Sequence, residues 1–583
     1  MYSFKLTDLL TGDTITVDNQ LTTPIAYRKA PVNWNKLNYT FTRNEKYYGL
    51  FPSFTAQLGF CGSAKVWLDD LFWLNRINNR ISVIVKAFNP KTMQFELFLD
   101  GMVNMETFSV KQFQTDIEIV DSLFINDILN KDSTDLDYQK MIDTYSIDHR
   151  DNWNDPSFTS LRIFGLATEN CPSGFVDAYA VYPFQLFEQL VALITGSKGR
   201  FCSSFFGKTS DKDENGSYYL NDGEGARMMV TTGRFIRGYT KGDLKKGTGT
   251  ITTNHFSKTI VGISTNFLAE IESRNDIMDD AGQSFGLVDA IISDNELTLL
   301  ENATYDYSGT FQYQNQSDSA TLIISFEKLF KSFSNIFKLG MSIKYNNDDL
   351  PFVSIESLNN YYQDEVMINI DNPKNITIGF DVKWHFNSID VGYGKSQKNQ
   401  SNLYGNTEYN NKSSYTVPAL FVKKSLSIVS DIRADGTAIQ MLMDAKKSSA
   451  VDTSQNQLDG EIFIISSMEV DELLRSKNDD GINISIGSIY GNNPKINPDI
   501  SPARMLLRWG DMIRISLNEQ LEKSLIFNRQ ESLSRMTSLK EGESDPVTEG
   551  ANIPINSLDE PFLNGVDINF TSPLGIADIL SIK

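Results

Sequence analysis

The chain has 583 residues, more than one hydrophobic core usually supports, and is expected to divide into roughly three to five domains of about 100 to 200 residues each. A composition of 40% hydrophobic and 11% aromatic residues excludes a chain too polar to collapse. With 53 Lys plus Arg against 74 Asp plus Glu, the net charge of -21 repels phosphate backbones and argues against a sequence-reading nucleic-acid binder.

The opening MYSFKLTDLLTGD carries Lys5 and Asp8 and lacks an apolar leader region, so no secretory signal is expected. From Lys36, LNYTFTRNEKYYGLFPSFTAQLGF places Leu37, Tyr39 and Phe41 on one side of a half-buried strand. GSAKVWLDDLFWLNRIN then reads as a helix with Val66, Trp67, Leu71 and Leu74 near one face, ended by Asn78-Asn79. Ile81, Val83 and Val85 alternate in the next strand, Phe95, Leu97 and Leu99 in another, and Ile117 and Ile119 mark a third. These elements describe an N-terminal α+β domain over residues 1–151.

A middle domain, 152–319, opens on the helix PFQLFEQLVALITG, with Pro183 at its first position and Gly196 closing it. Such an apolar helix requires burial under a sheet or in a subunit contact. The Gly-, Ser- and Lys-rich text from Gly196 to about Thr252 reads as long exposed hairpins. The range 320–430 is expected to be a helix plus antiparallel strands. Ser325 caps SFEKLFKSFSNIFKLG, Phe326, Leu329, Phe330, Phe333 and Phe337 share a face, and Gly340 closes it. Residues 431–583 form the expected C-terminal β domain, with a helix from Ser501-Pro502 and an extended polar tail that offers little core. The stretch Ser396–Ser414 is the most linker-like. The expected class is mainly β with α+β parts, in several domains of antiparallel sheets or barrels with a few amphipathic helices.

Motifs for catalysis are scarce. His149, His255 and His385 are the whole histidine complement and none stands in a zinc-ligand spacing. Gly242 to Gly247 has a phosphate-loop spacing, but Thr248 replaces the lysine that would reach a phosphate. Cys61, Cys171 and Cys202 are odd in number without a CxxC pair, so they are expected to be reduced and buried. The sharpest local pattern is Asp211, Asp213, Asn215 and Asp222 around Gly216, which has the oxygen spacing of a calcium loop. Asp222 stands where a bidentate Glu is usual, and Asn215-Gly216 is also a strong hairpin turn. No catalytic or cofactor-binding residue is assigned, calcium is the one cofactor considered, and the chain is expected not to be an enzyme. Tyr47, Tyr48, Tyr361 and Tyr362 could stack on sugars but suit sheet packing better.

Taken together, NYTFTRNEKYYGLFPSFTAQLGF with its following helix, FKLGMSIKY, SLSIVSDIRADGT and ISPARMLLR resemble a large virion protein of tailed phages infecting Bacteroidetes, the crAss-like phages and their relatives. The resemblance is carried by segments scattered over most of the chain. It implies a tail or baseplate component of hub, ring or muzzle type, located in the virion and assembled in the host cytoplasm. It also implies β-barrels around a tail lumen, and partners that are copies of the chain (a ring or trimer) and other tail proteins. DNA would then pass along an acidic lumen without sequence-specific binding, although a plain solvated surface explains the charge equally well. No membrane anchor is expected. The alternative is a tail-tip receptor- or glycan-binding protein, or another capsid-associated protein. The apolar helix from Pro183 and the Phe-rich helix from Ser325 are the expected subunit-contact faces.

Overall fold

The computed structural model describes residues 2–18, 31–34, 38–75, 78–137, 159–164, 175–226, 228–233, 241–271, 275–281, 283–299, 302–316, 322–362, 366, 369–370, 373–394, 412–417, 423–433, 460–470, 473–476, 500, 502–517, 520–527, 537–538, 547–548, 552–561 and 566–572. The fold is mostly β and multi-domain, with several antiparallel sheets and a few helices.

The first sheet contains β1 (Tyr2–Asp8), β2 (Thr14–Asp18), β3 (Asn38–Arg43), β4 (Leu50–Phe60), β5 (Ile81–Asn89), β6 (Gln94–Val110) and β7 (Thr115–Asp121), in the order β2-β1-β5-β6-β7-β4-β3 and antiparallel throughout. In β5 burial alternates along the strand, and Ile81, Val83 and Val85 are fully covered, as their spacing predicts. Helix α1 (Gly62–Asn75) covers this face, but with Ala64, Leu68 and Leu71, while Val66 and Leu74 face solvent. The helix is where the sequence puts it and its buried face is turned. The spacing of Ala64, Leu68 and Leu71 follows one helical stripe, and a small Ala lets the helix approach the sheet.

Helix α2 (Leu123–Lys131) leaves this unit, and its Ile125 and Ile128 enter a second, larger core. That core gathers α3 (Pro183–Thr195) and α5 (Phe326–Phe337) with sheets drawn from distant parts of the chain. Strands β9 (Thr159–Phe164), β10 (Phe175–Ala180) and β12 (Met228–Thr232) join β28 (Ile462–Val470) and β29 (Leu473–Ser476) in one sheet. β11 (Phe201–Cys202) runs parallel to β23 (Pro351–Ser357), which forms a hairpin with β22 (Leu339–Tyr345). β8 (Asp135–Asp137) pairs with β21 (Ile323–Ser325), and α6 (Leu358–Tyr361) follows β23. β25 (Ser388–Tyr393) lies between β26 (Ser413–Thr416), antiparallel, and β27 (Ser425–Ser430), parallel, so this sheet is mixed rather than wholly antiparallel.

Helix α5 starts as read, with the Ser325 hydroxyl accepting the Lys328 N–H at 3.3 Å. Its end differs. Lys338 takes the left-handed cap at φ 58° and Gly340 lies inside β22. A buried ion pair between the Lys338 ammonium and Asp511 holds this uncommon conformation in place. Asp511 lies on α8 (Gly510–Arg514), after α7 (Pro502–Arg508) and the fully buried Trp509, whose Nε1 donates to the Asn335 carbonyl at 3.1 Å. The polar C-terminal tail also contributes to the core, contrary to expectation. Leu525 of β30 (Ser524–Phe527), Ile553 of β33 (Ile553–Pro554), Ile555 and Leu558 are buried in it, and β30 completes the β25 sheet. The short pair β31 (Thr537–Ser538) and β32 (Val547–Thr548) flanks a loop outside the described residues, and most of the expected 396–414 linker also lies outside them.

A third core belongs to a barrel. β13 (Lys241–Lys246) continues through Gly247–Gly249 into β14 (Thr250–Thr253), and β19 (Tyr307–Gly309) continues through Thr310 into β20 (Phe311–Gln316). These two long segments pair antiparallel along their length, bridged where Gly247 donates its N–H to the Phe311 carbonyl at 3.0 Å. From β14 the ladder runs through β15 (Thr259–Ile263), β18 (Glu296–Leu299), β17 (Ser284–Ser293) and β16 (Asp276–Asp279) back to β20, and so closes on itself. Ile251, Ile260, Phe285, Leu297 and Phe311 fill the interior, with Phe267 of the short α4 (Phe267–Glu270), which makes it a packed core and not a pore.

Finally, β24 (Lys374–Phe380) pairs with β34 (Val566–Thr571) in a two-stranded ribbon of its own.

Candidate functional site

The acidic loop is a hairpin. Asp213 Oδ1 accepts N–H bonds from Asn215 at 2.9 Å and Ser217 at 2.8 Å, and its own N–H donates to the Ser217 carbonyl at 2.8 Å. Gly216 takes φ 80° at the tip, and Lys212 bridges Tyr218 behind it. Asp211 Oδ2 accepts the Lys208 N–H at 2.8 Å, Asp222 Oδ1 accepts that of Thr209 at 3.0 Å, and Asn215 Oδ1 accepts that of Asn347 at 3.1 Å. Each of the four candidate ligands therefore holds a backbone amide, which is what Asp and Asn do in turns. Among the described residues, no group of three or more His, Cys, Asp or Glu side chains gathers as a metal site requires. Burial, helped by the charge of Asp222, holds the Asp211 carboxyl above its ordinary range despite the Lys208 bond. Burial and the Asp211 charge do the same to Glu188.

Cys202 at the end of β11, with Ser203 and Ser204 in the loop after it, sets three nucleophile-type side chains in a row. Burial pushes the Cys202 thiol up to about 12, so it stays protonated and unreactive. The Ser204 N–H donates to Glu356 Oε1 at 2.9 Å and its hydroxyl to Glu356 Oε2. The Ser203 hydroxyl donates to the Ile355 carbonyl, and its N–H to the Tyr219 hydroxyl at 2.9 Å. These bonds clasp the loop to β23. A serine nucleophile needs a base that takes its proton, but His255 Nδ1 faces the Ala303 carbonyl at 3.2 Å and His385 Nδ1 the Asp381 carbonyl at 2.9 Å. His149 and Cys171 lie outside the described residues. Cys61 is exposed rather than buried, since it sits in the turn between β4 and α1. The Gly242–Gly247 spacing falls on β13 and its corner, where the backbone belongs to a ladder and cradles nothing.

The four tyrosines serve packing. Tyr47 is buried and donates to Asp132 Oδ2, which also binds Lys46 at 2.6 Å. Tyr48 packs its ring 5.1 Å from Trp509. Arg43 lies between Tyr362 and Trp384, 4.4 and 4.3 Å from their ring centres. The Tyr361 hydroxyl meets the Ser342 hydroxyl at 3.1 Å.

The helices expected to carry subunit contacts are internal. Phe184, Leu186, Phe187, Leu190 and Val191 of α3, and the Phe-rich face of α5, are covered by the chain's own central core. Of the two fates that the apolar α3 allows, burial within the chain is the one realised. Exposed apolar side chains stand elsewhere: Val66, Trp73 and Leu74 on the outer face of α1, Val261, Ile263, Leu268 and Ile292 on the barrel's outside, and Ile376, Ile378, Ile568 and Phe570 on the ribbon. Sequence reasoning missed all three. The one signal available was the surplus of apolar residues on α1, too many for one stripe.

No family model matches the chain, and no curated protein matches it. Among the described residues no helix is long and apolar enough to cross a membrane.

Proposed function

We propose that the chain is a structural subunit of a bacteriophage tail, of hub, ring or muzzle type, acting through contacts with its own copies and with other tail proteins. The observation that carries this reading is the set of uncovered apolar surfaces on three separate units, namely α1, the barrel wall and the ribbon. Monomeric proteins seldom leave several such surfaces open, whereas subunits bury them against neighbours. Two further features favour it. The nucleophile-type side chains of the Cys202 loop are protonated or tied to backbone and carboxylate, and the closed barrel is the kind of element that the sequence resemblance implies. The acidic charge suits a surface past which DNA slides without sticking.

Light scattering on the purified full chain tests it. The expected result is a closed oligomer of fixed copy number at micromolar concentration. A lone monomer that turns over a polysaccharide or peptidoglycan substrate overturns the reading.

A further inference from the structure

We infer that Lys338 and Asp511 are the reactants of an intramolecular amide, an isopeptide bond that ties the end of α5 to α8 and forms without an added enzyme or cofactor. The inference does not depend on the assembly reading. The Lys338 ammonium meets Asp511 Oδ2 at a site where the two side chains are only 8% and 6% exposed, although the residues stand 173 positions apart in the chain. Both are held in place. Lys338 donates its N–H to the Ser334 carbonyl at 2.7 Å, and its own carbonyl accepts the Leu358 N–H at 3.0 Å. Asp511 follows the buried Trp509, whose ring nitrogen donates to the Asn335 carbonyl at 3.1 Å, and Asp511 Oδ1 accepts the Met512 N–H at 2.7 Å. A third acid, Asp559, follows the buried Leu558 and is itself exposed, and its charge acts on both members of the pair. Desolvation offsets much of the attraction in a buried ion pair. An amide between the same two groups carries no charge and removes that cost.

Burial lowers the ammonium and raises the carboxyl, and so favours transfer of one proton from Lys338 Nζ to Asp511 Oδ2. The neutral amine then attacks Asp511 Cγ with its lone pair, and negative charge develops on Oδ1, where the Met512 N–H already points. Asp559 takes the second proton from the nitrogen and returns it to the Oδ2 hydroxyl, which leaves as water. One C–N bond forms, one C–O bond breaks, nothing is oxidised or reduced, and Asp559 ends as it began. Contact between amine and acid supplies a high effective concentration, and burial excludes the water that would reverse the step. Lys412 and Asp390 show the contrast. There the lysine is 47% exposed and the carboxyl is held below its ordinary range, so both groups stay charged and the amine is no nucleophile. A bond across so long a stretch of chain removes freedom from the unfolded state and fastens the C-terminal segment to the central core.

Mass spectrometry of the full chain, unfolded in denaturant, tests the bond. The expected mass is short of the sequence mass by one water, and a tryptic digest is expected to yield a branched peptide joining the segments that contain Lys338 and Asp511. An Asp-Gly step such as Asp222-Gly223 also loses water when it closes to a succinimide, so the branched peptide is the deciding product. Lys338→Arg keeps the positive charge without the reactive amine and should restore the full mass. In samples taken at intervals after cell-free synthesis, Asp559→Asn should link about a hundredfold more slowly than the parent. A parent chain of full mass that gives no branched peptide overturns the bond, whether or not the variants fold. A water loss that persists in Lys338→Arg places it elsewhere and has the same force. Linkage of Asp559→Asn at the parent's rate overturns the part given to Asp559.

Discussion

Burial alone would raise the carboxyl of Asp390, but a hydrogen bond and the charge from Lys412 at 2.7 Å, with a second bond from Ser414 at 2.6 Å, bring it below its ordinary value. A depressed acid stabilises the folded state above its unfolded pKa of about 3.9, and the contribution is lost as pH falls through the lower folded value. Asp390→Asn is therefore expected to lower stability by up to about 1 kcal/mol at pH 7, since the pair is partly exposed to solvent. The gap should close as the pH approaches 2. Denaturant unfolding followed by tryptophan fluorescence at several pH values measures this, and a gap that persists in acid would assign the effect to packing. Lys338 and Asp511 present the opposite balance, where burial pulls the ammonium down and the carboxyl up against their mutual attraction. Their value is positional, because the pair fixes where α5 stops and β22 begins.

At the scale of elements, the barrel turns its corner on glycine. Gly249 holds φ 82°, and a Cβ there would meet the backbone carbonyl oxygens of Ile263 and Ser264 at 2.5 Å. Gly249→Ala combines strain at a left-handed position with a clash against immobile backbone, at a cost of about 1 to 3 kcal/mol. Hydrogen exchange is expected to quicken across β14, β15 and β19 while amides of β5 and β6 keep their protection. Unchanged exchange in the barrel would mean that the corner relaxes. The same scale shows what a sequence reveals. β5 was legible because a strand with one face on a core must alternate, and its alternation is local. The start of α5 was legible for the same reason, since a serine cap acts within three residues. The buried face of α1 was not, because the helix is apolar nearly all round and only tertiary packing selects Ala64, Leu68 and Leu71 over Val66 and Leu74. Nor were the parallel pairing of β25 with β27 or the ribbon, whose register joins residues nearly two hundred positions apart. The acidic loop was read with both its alternatives, and its oxygens hold amides because Asp and Asn beside glycine cap turns wherever a hairpin needs them.

At the scale of the molecule, three apolar cores among the described residues divide the work unequally. The N-terminal sheet and the barrel each close within one continuous stretch, residues 4–119 and 251–313. The central core draws on side chains from Tyr47 to Leu558 and closes only when the C-terminal segment supplies Met505, Leu506, Trp509, Met512, Ile513, Leu525, Ile555 and Leu558. Burial of each such side chain contributes about 1.5 to 3 kcal/mol, so their sum matches or exceeds the 5 to 15 kcal/mol by which a domain is usually stable. A chain ended at residue 499 is therefore expected to lose the central core altogether, with exchange protection gone from α3 and α5. The sheet and the barrel, whose own core clusters take no side chain from that segment, should keep theirs. Protection retained in α5 would show that the central body can close without its last strands and helices.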